Sequence, residues 1–228
     1  MQNSLNKIAY SILENVRRDI SDDEFISLRQ VKDDIHTLRA LFLRNELNKS
    51  RSIDPAIVQD LGCVGLEYAD PADCCDISTD CLVLRTNRDI PKTIERHHSH
   101  TITRVGPVNK TSISFNIIPY ERAPYVSFNR FSGREIFAYL LNDRIYLVSS
   151  NKVNLLLEKI NIRGVFEDPT EAGSFEDCDS KTCYTDDGDY PLNRWMEKSI
   201  IDELTNKYLT VSASPKDDKN DANSNIHE

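Results

Sequence analysis

At 228 residues the chain is long enough to bury a real core, as one ordinary domain or two small ones. A charged fraction of 29% beside 39% hydrophobic residues describes a soluble globular protein, and no apolar run approaches the roughly 20 residues of a membrane helix. The formal net charge of −9 argues against a surface that grips nucleic-acid phosphates, because that grip needs a basic patch; it leaves open an acidic passage along which DNA slides without sticking. The opening stretch MQNSLNKIAY lacks the basic and then apolar pattern of a secretion signal, so the chain is expected to stay in the cytosol where it is made. In that compartment Cys63, Cys74, Cys75, Cys81, Cys178 and Cys183 are more often free thiols or metal ligands than disulfides.

Leu5, Ile8, Ile12 and Val16 recur at helical spacing within residues 4–18 and predict a one-faced helix. After the acidic break 19–26, Ser27 and Gln30 have the spacing of a capping box. The helix they open carries Val31, Ile35, Leu38 and Phe42 as its stripe, widened by Leu41 and Leu47. Arg29, Lys32, Arg39 and Arg44 lie off that stripe. Two such helices cannot bury both stripes by themselves, so they are expected to pack on a sheet or on a neighbouring subunit. Within 53–58, Asp54 caps a short helical turn that Pro55 starts.

Beyond this point the period changes. Stretches 63–68, 81–86, 101–105 and 112–118 are short, rich in Val, Ile, Thr, Tyr and Phe, and punctuated by Pro, Gly, Asn and Asp, which predicts antiparallel strands. The stretch 134–150, REIFAYLLNDRIYLVSS, reads as a hairpin turning at Asn142-Asp143, because both residue types tolerate left-handed backbone angles. That register pairs Tyr139 with Tyr146 and Phe137 with Val148 on one face, and Leu140 with Ile145 and Ala138 with Leu147 on the other. Both faces are apolar, so the hairpin is expected at the centre of a sheet, covered on both sides, with the terminal helices packed near it. Residues 155–166 add a strand or a helical turn leading into one. Residues 167–190 form a long acidic loop. Pro191 then opens a last helix with Met196, Ile200, Leu204 and Tyr208 as its stripe, supported by Trp195 and Ile201. The fold class is therefore α+β: an N-terminal helix pair and a C-terminal helix around a central, mostly antiparallel β region. The expected division is a helical region over residues 1–52, a β-rich region over residues 53–190 including the acidic loop 167–190, a helix 191–210 and a disordered tail 211–228.

Three groups of residues suggest chemistry. His97, His98 and His100, with Cys74, Cys75 and Cys81 upstream, are zinc-ligand types, and they support an alternative reading as a metal-stabilised enzyme or regulator. Their spacing is poor, and a polar connection before the strand at 101–105 is the plainer reading. Cys178 and Cys183 could form a redox pair or a clip to the other cysteines; ordinary thiols are the plainer reading. Asp186, Asp187 and Asp189 only loosely resemble a calcium loop, and a solvated acidic loop fits them better. No phosphate loop, dinucleotide fingerprint, nucleophile elbow or zinc-protease helix is present in the sequence, so an enzyme is not expected and no cofactor or metal is assigned. The aromatic and arginine run 120–131 has the residue types that protein interfaces favour, which makes Tyr125, Phe128, Arg130 and Phe131 candidate subunit-interface residues.

Several segments in order carry a resemblance: RQVKDDIHTLRALFLRNELNK (29–49), VQDLGCV (58–64), DCCD with Cys81 following, VLRT (83–86), IPK (90–92), ITRVGPV (102–108), IPYERA (118–123), IYLVS (145–149), INIRGVFEDPTEA (160–172) and CYTDDGDYPL (183–192). Together they resemble a virion structural protein family of crAss-like phages, over about Leu5 to Leu209. The resemblance implies a head-to-tail connector, a ring protein of the phage neck, stacked between the portal vertex and a short tail. It implies a homo-oligomer, typically of twelve copies, that contacts portal, other neck rings and tail proteins. Double-stranded DNA would pass through it without sequence-specific binding, and no catalytic residue is carried over. The protein would be made in the host cytoplasm and reside in the virion. Asp186, Asp187 and Asp189 are then candidates for a channel lining or a ring contact.

Overall fold

The computed structural model describes residues 4–19, 26–49, 52–69, 83–97, 100–109, 112–128, 135–149, 156–181 and 184–213. Helix α1, Leu5–Asp19, buries Leu5, Ile8, Ala9, Ile12, Leu13 and Val16 along one face. At its start the Ser4 hydroxyl accepts from the Lys7 N–H at 3.3 Å. Helix α2, Leu28–Lys49, starts where the Ser27 hydroxyl accepts from the Gln30 N–H at 3.1 Å. Its buried line is Val31, Ile35, Arg39, Leu43 and Leu47, one residue in four. This line is rotated from the expected stripe: Leu38 and Phe42 are only partly buried, Leu41 is 51% exposed, and Arg39 sits in the middle of the core face.

The third long helix settles how the first two are covered. Helix α4, Arg194–Ala213, buries Met196, Ile200, Leu204 and Tyr208, and the last three meet α1 and the first half of α2 in one cluster. The helix pair is thus completed by α4 within the same chain. The Tyr208 hydroxyl donates to Asp34 at 2.6 Å and the Lys207 ammonium to the same carboxylate at 2.9 Å, which pins α4 to α2. Pro191 does not open the helix, which begins three residues later at Arg194. The helix also runs past residue 210 to Ala213; the expected tail beyond lies outside the described residues.

Among the described residues the β region has eight strands: β1 Gln59–Asp60, β2 Val64–Tyr68, β3 Val83–Thr86, β4 Ile102–Pro107, β5 Asn116–Ile117, β6 Phe137–Leu141, β7 Arg144–Val148 and β8 Lys159–Gly164. All pairings are antiparallel except β5 with β6. Strand β8 pairs with β4, and with β1 and then β2. Strand β2 gives its first residues to β8 and its last to β3, so it carries the sheet around a corner. From β3 the order continues through β7 and β6 to β5. The two ends then meet, where the Phe115 N–H donates to the Val105 carbonyl at 2.7 Å. The enclosed core includes Val64, Leu84, Val105, Phe115, Ala138, Leu147, Ile160 and Ile162.

The β6–β7 hairpin has the register its sequence predicts, Tyr139 opposite Tyr146 and Phe137 opposite Val148. Asn142 and Asp143 take φ of 49° and 57° to turn it. Its second face is covered by a 3₁₀ segment, Tyr120–Phe128, whose Ala123 and Val126 pack on Val83, Tyr139, Tyr146 and Val148. Two expectations fail. The hairpin lies toward one end of the strand order, and β8 is the strand with most partners. The helices do not pack on the hairpin: Leu43, Leu47 and Met196 instead meet Ile57, Ile94 and Val165 at the end of β8. The physical reason is that both apolar faces of the hairpin already have cover from within the β region.

Candidate interaction surfaces

Arg39 is fully buried where the bundle meets the acidic segment. Its Nε donates to the Pro191 carbonyl at 2.9 Å, and its Nη1 donates to the carbonyls of Phe166 at 2.8 Å and Glu167 at 3.3 Å. Three backbone acceptors that follow β8 and precede α4 are thereby satisfied by one planar donor. Pro191 stays outside the helix, which opens where the Asn193 carbonyl accepts from the Met196 and Glu197 N–H groups. Beside it, His36 lies between the Tyr190 hydroxyl at 2.9 Å from Nδ1 and the Thr170 hydroxyl at 3.3 Å from Nε2. Burial holds the His36 imidazole below its ordinary pKa, with Asp168 opposing that shift and Arg39 adding to it. Burial pushes the Tyr190 and Tyr184 phenols above theirs. Sequence reading missed this group. The one available signal was that Arg39 falls on the four-residue stride from Val31 to Leu47.

The acidic stretch is held in place and is not uniformly loop. It contains a short helix α3, Pro169–Gly173, capped by Asp168, whose carboxylate accepts from Thr170 and Glu171 N–H groups. Asp177 then accepts from the N–H groups of Asp179 and Lys181, and those bonds hold its pKa below the usual carboxylate value. The segment is stitched to the β1–β2 connection: the Cys63 N–H donates to the Glu176 carbonyl at 3.1 Å. Cys63 and Cys178 form a disulfide with their Cα atoms 5.1 Å apart. That pairing differs from the expected ordinary thiols; proximity of the two backbones supplies what the sequence could not show. Gly62, at φ +67°, is required here, since a Cβ would stand 2.5 Å from the Glu176 carbonyl oxygen. Further on, Asp186 is 2.7 Å from the Lys32 ammonium and Asp187 accepts from the Asn6 amide at 2.6 Å. These two carboxylates bind the segment to the bundle, while Asp189 is exposed at the edge of a cleft lined also by Gln59, Tyr184 and Tyr190.

Among the described residues four aromatic side chains, Tyr10, Tyr68, Tyr125 and Trp195, are more than half exposed. Tyr125 is 71% exposed on the 3₁₀ segment. Phe128 ends that segment, and nothing further is described of its side chain; Arg130 and Phe131 lie outside the described residues. Trp195, expected to support the α4 stripe, is 56% exposed because the neighbouring Met196 takes the inward position. It lies in an open groove of about 920 Å³ with Asp54, Asn193, Arg194, Glu197, Lys198 and Ile201. His97 and His100 are exposed, and Cys74, Cys75, Cys81, Cys183 and His98 lie outside the described residues. Among the described residues no three His, Cys, Asp or Glu side chains converge as a metal site, and no helix is long and apolar enough to cross a membrane.

Comparison with known proteins identifies the family. Residues 7–226 match the family described as phage tail ring protein 2. Ring protein 2 of Bacteroides phage crAss001 is 23% identical over 225 residues, covering 97% of each chain. The chain belongs to the phage tail ring protein 2 family of crAss-like phages, and its role is that of a structural virion protein.

Proposed function

We propose that this chain assembles as a ring, of twelve copies, in the phage neck, where it joins the portal vertex to the tail and surrounds the DNA passage. The observation that carries this reading is the family match along nearly the whole chain to proteins described as tail rings. A ring of identical copies uses heterologous contacts, in which one patch meets a different patch on the next copy. The net charge of −9 supports passage of DNA, since an acidic wall repels phosphate and leaves the duplex free to slide. Of the three candidate channel carboxylates, Asp187 and Asp189 are exposed, and Asp186 and Asp187 serve first to hold the segment. The test is electron microscopy and sedimentation of the purified protein, alone and with portal. Ring-shaped particles with rotational symmetry are expected; a strict monomer under both conditions overturns the reading. For the channel, reversing Asp189 to Lys should slow DNA ejection, and unchanged ejection kinetics would remove it from the DNA path.

A further inference from the structure

We propose that Cys63 and Cys178 form a thiol–disulfide exchange site that opens and closes in the folded chain, is entered at Cys178, and favours cationic reagents. The proposal stands whether or not the chain assembles as a ring. Its first support is that the two backbones meet without help from the sulfurs. The Cys63 N–H donates to the Glu176 carbonyl at 3.1 Å, and Gly62 lies too close to Glu176 and Asp177 to carry a Cβ. The Gly62 N–H donates to Asp60 at 2.9 Å, and the Gly62 carbonyl accepts from the Asn161 amide at 3.0 Å. Opposite, Asp177 accepts from the Asp179 and Lys181 N–H groups at 2.8 and 3.0 Å, which fixes the turn carrying Cys178. None of these bonds uses sulfur, so they keep the two thiols adjacent when the disulfide is open. The Cα separation of 5.1 Å lies within the span of a disulfide, and closure needs no refolding.

The second support is unequal access. Cys178 is exposed and Cys63 is half-buried, so an incoming reagent meets Cys178 first. In closure, the Cys178 thiolate attacks one sulfur of a low-molecular-weight disulfide RSSR, and one RS⁻ leaves. The Cys63 thiolate then attacks the Cys178 sulfur and expels the second RS⁻. The two protons shed by the cysteines end on the two leaving thiolates as RSH, and RSSR takes up the two electrons that the cysteines lose. Opening is the reverse, with RS⁻ attacking Cys178 and Cys63 leaving.

The third is charge. Glu176, Asp177 and Asp179 flank Cys178, against Lys181 and the Arg88 guanidinium stacked on Phe175, in a chain of net charge −9. That field draws in cationic disulfides and thiols and repels anionic ones, and salt screens it. The site joins two regions. Cys63 belongs to the β1–β2 connection, and Cys178 to the segment that Asp186 and Asp187 fasten to the bundle. Oxidation therefore ties these regions covalently after the fold is complete, and reduction leaves the hydrogen bonds alone to hold them.

The test uses the full chain, reduced, freed of reductant and mixed with cystamine, a dication, or with anionic oxidised glutathione. Acid quenching and peptide mass spectrometry follow each cysteine. Cys63–Cys178 should close without denaturant and without change in circular dichroism. Cystamine should act about tenfold faster than glutathione at low salt, and the ratio should shrink toward its value for a free thiol at about 1 M salt. Cys63→Ser should trap a mixed disulfide on Cys178, whereas in Cys178→Ser the Cys63 thiol should react at least about tenfold more slowly. Closure only in denaturant, a salt-independent ratio, or equal reactivity of the two single cysteines overturns the proposal. Should either variant misfold, the early mixed disulfide of the wild type decides which sulfur is entered first, and finding it on Cys63 is equally fatal.

Discussion

Arg39 shows how much one residue can organise. A buried guanidinium is tolerated because its Nε and Nη1 donate to the carbonyls of Pro191, Phe166 and Glu167. Replacing it with Met keeps much of the volume and removes those bonds. The expected loss is about 3 kcal/mol, measured as a shift in the urea midpoint, and Lys should recover only part of it because a point donor cannot span the same acceptors. His36 supplies a pH dependence from the same group. Its folded pKa lies below the ordinary histidine value of 6.5, so the stability this neutral imidazole contributes is fully present above that value and is lost as pH falls through the lowered folded pKa. Thermal melts from about pH 7.5 to about pH 5 should therefore decline more steeply for the wild type than for His36→Gln, which keeps a neutral partner for Tyr190. Parallel slopes would mean that His36 titrates alike in the folded and unfolded states.

At the scale of elements, the acidic segment is the informative case. Its composition suggested a solvated loop, yet the capped α3, the Asp177 turn, the Gly62 approach and the Asp186–Lys32 pair give it fixed anchors on both the β region and the bundle. The Cys63–Cys178 disulfide closes a separation of 115 residues. Chain-entropy arguments allow a stabilisation of up to about 4–5 kcal/mol for a loop of that length. Urea unfolding of the oxidised protein should accordingly need more denaturant than unfolding in reductant, and Cys178→Ser should abolish the difference. Equal midpoints with and without reductant would show that the bond contributes nothing to the folded state. A cytosolic chain would begin reduced and gain this clamp only on leaving the cell.

For the molecule as a whole, the two chain ends are interdependent. Helix α1 inserts six buried side chains against α2 and α4. At about 1.5–3 kcal/mol for each large apolar side chain, that burial rivals the roughly 5–15 kcal/mol of net stability typical of a domain. Deleting residues 1–19 should thus abolish cooperative unfolding of the bundle and expose surface that binds hydrophobic dyes. A truncated chain with an unchanged melt would show that α2 and α4 suffice. The bundle and β region also share the cluster around Ile57, Val165 and Met196, so one core joins the two regions.

What the sequence by itself determined is local: the helical stripes of α1 and α4, the Ser27 and Asp54 caps, the hairpin register about Asn142-Asp143, the α+β class and, through ordered motifs, the family. Each depends on residues a few positions apart, where spacing and backbone preference act directly. The tertiary structure decided the burial of Arg39, the pairing of Cys63 with Cys178, the outward turn of Trp195 and the choice of β8 as the shared strand. Those outcomes depend on partners far away along the chain, and no local periodicity encodes which distant carbonyl or sulfur will be near.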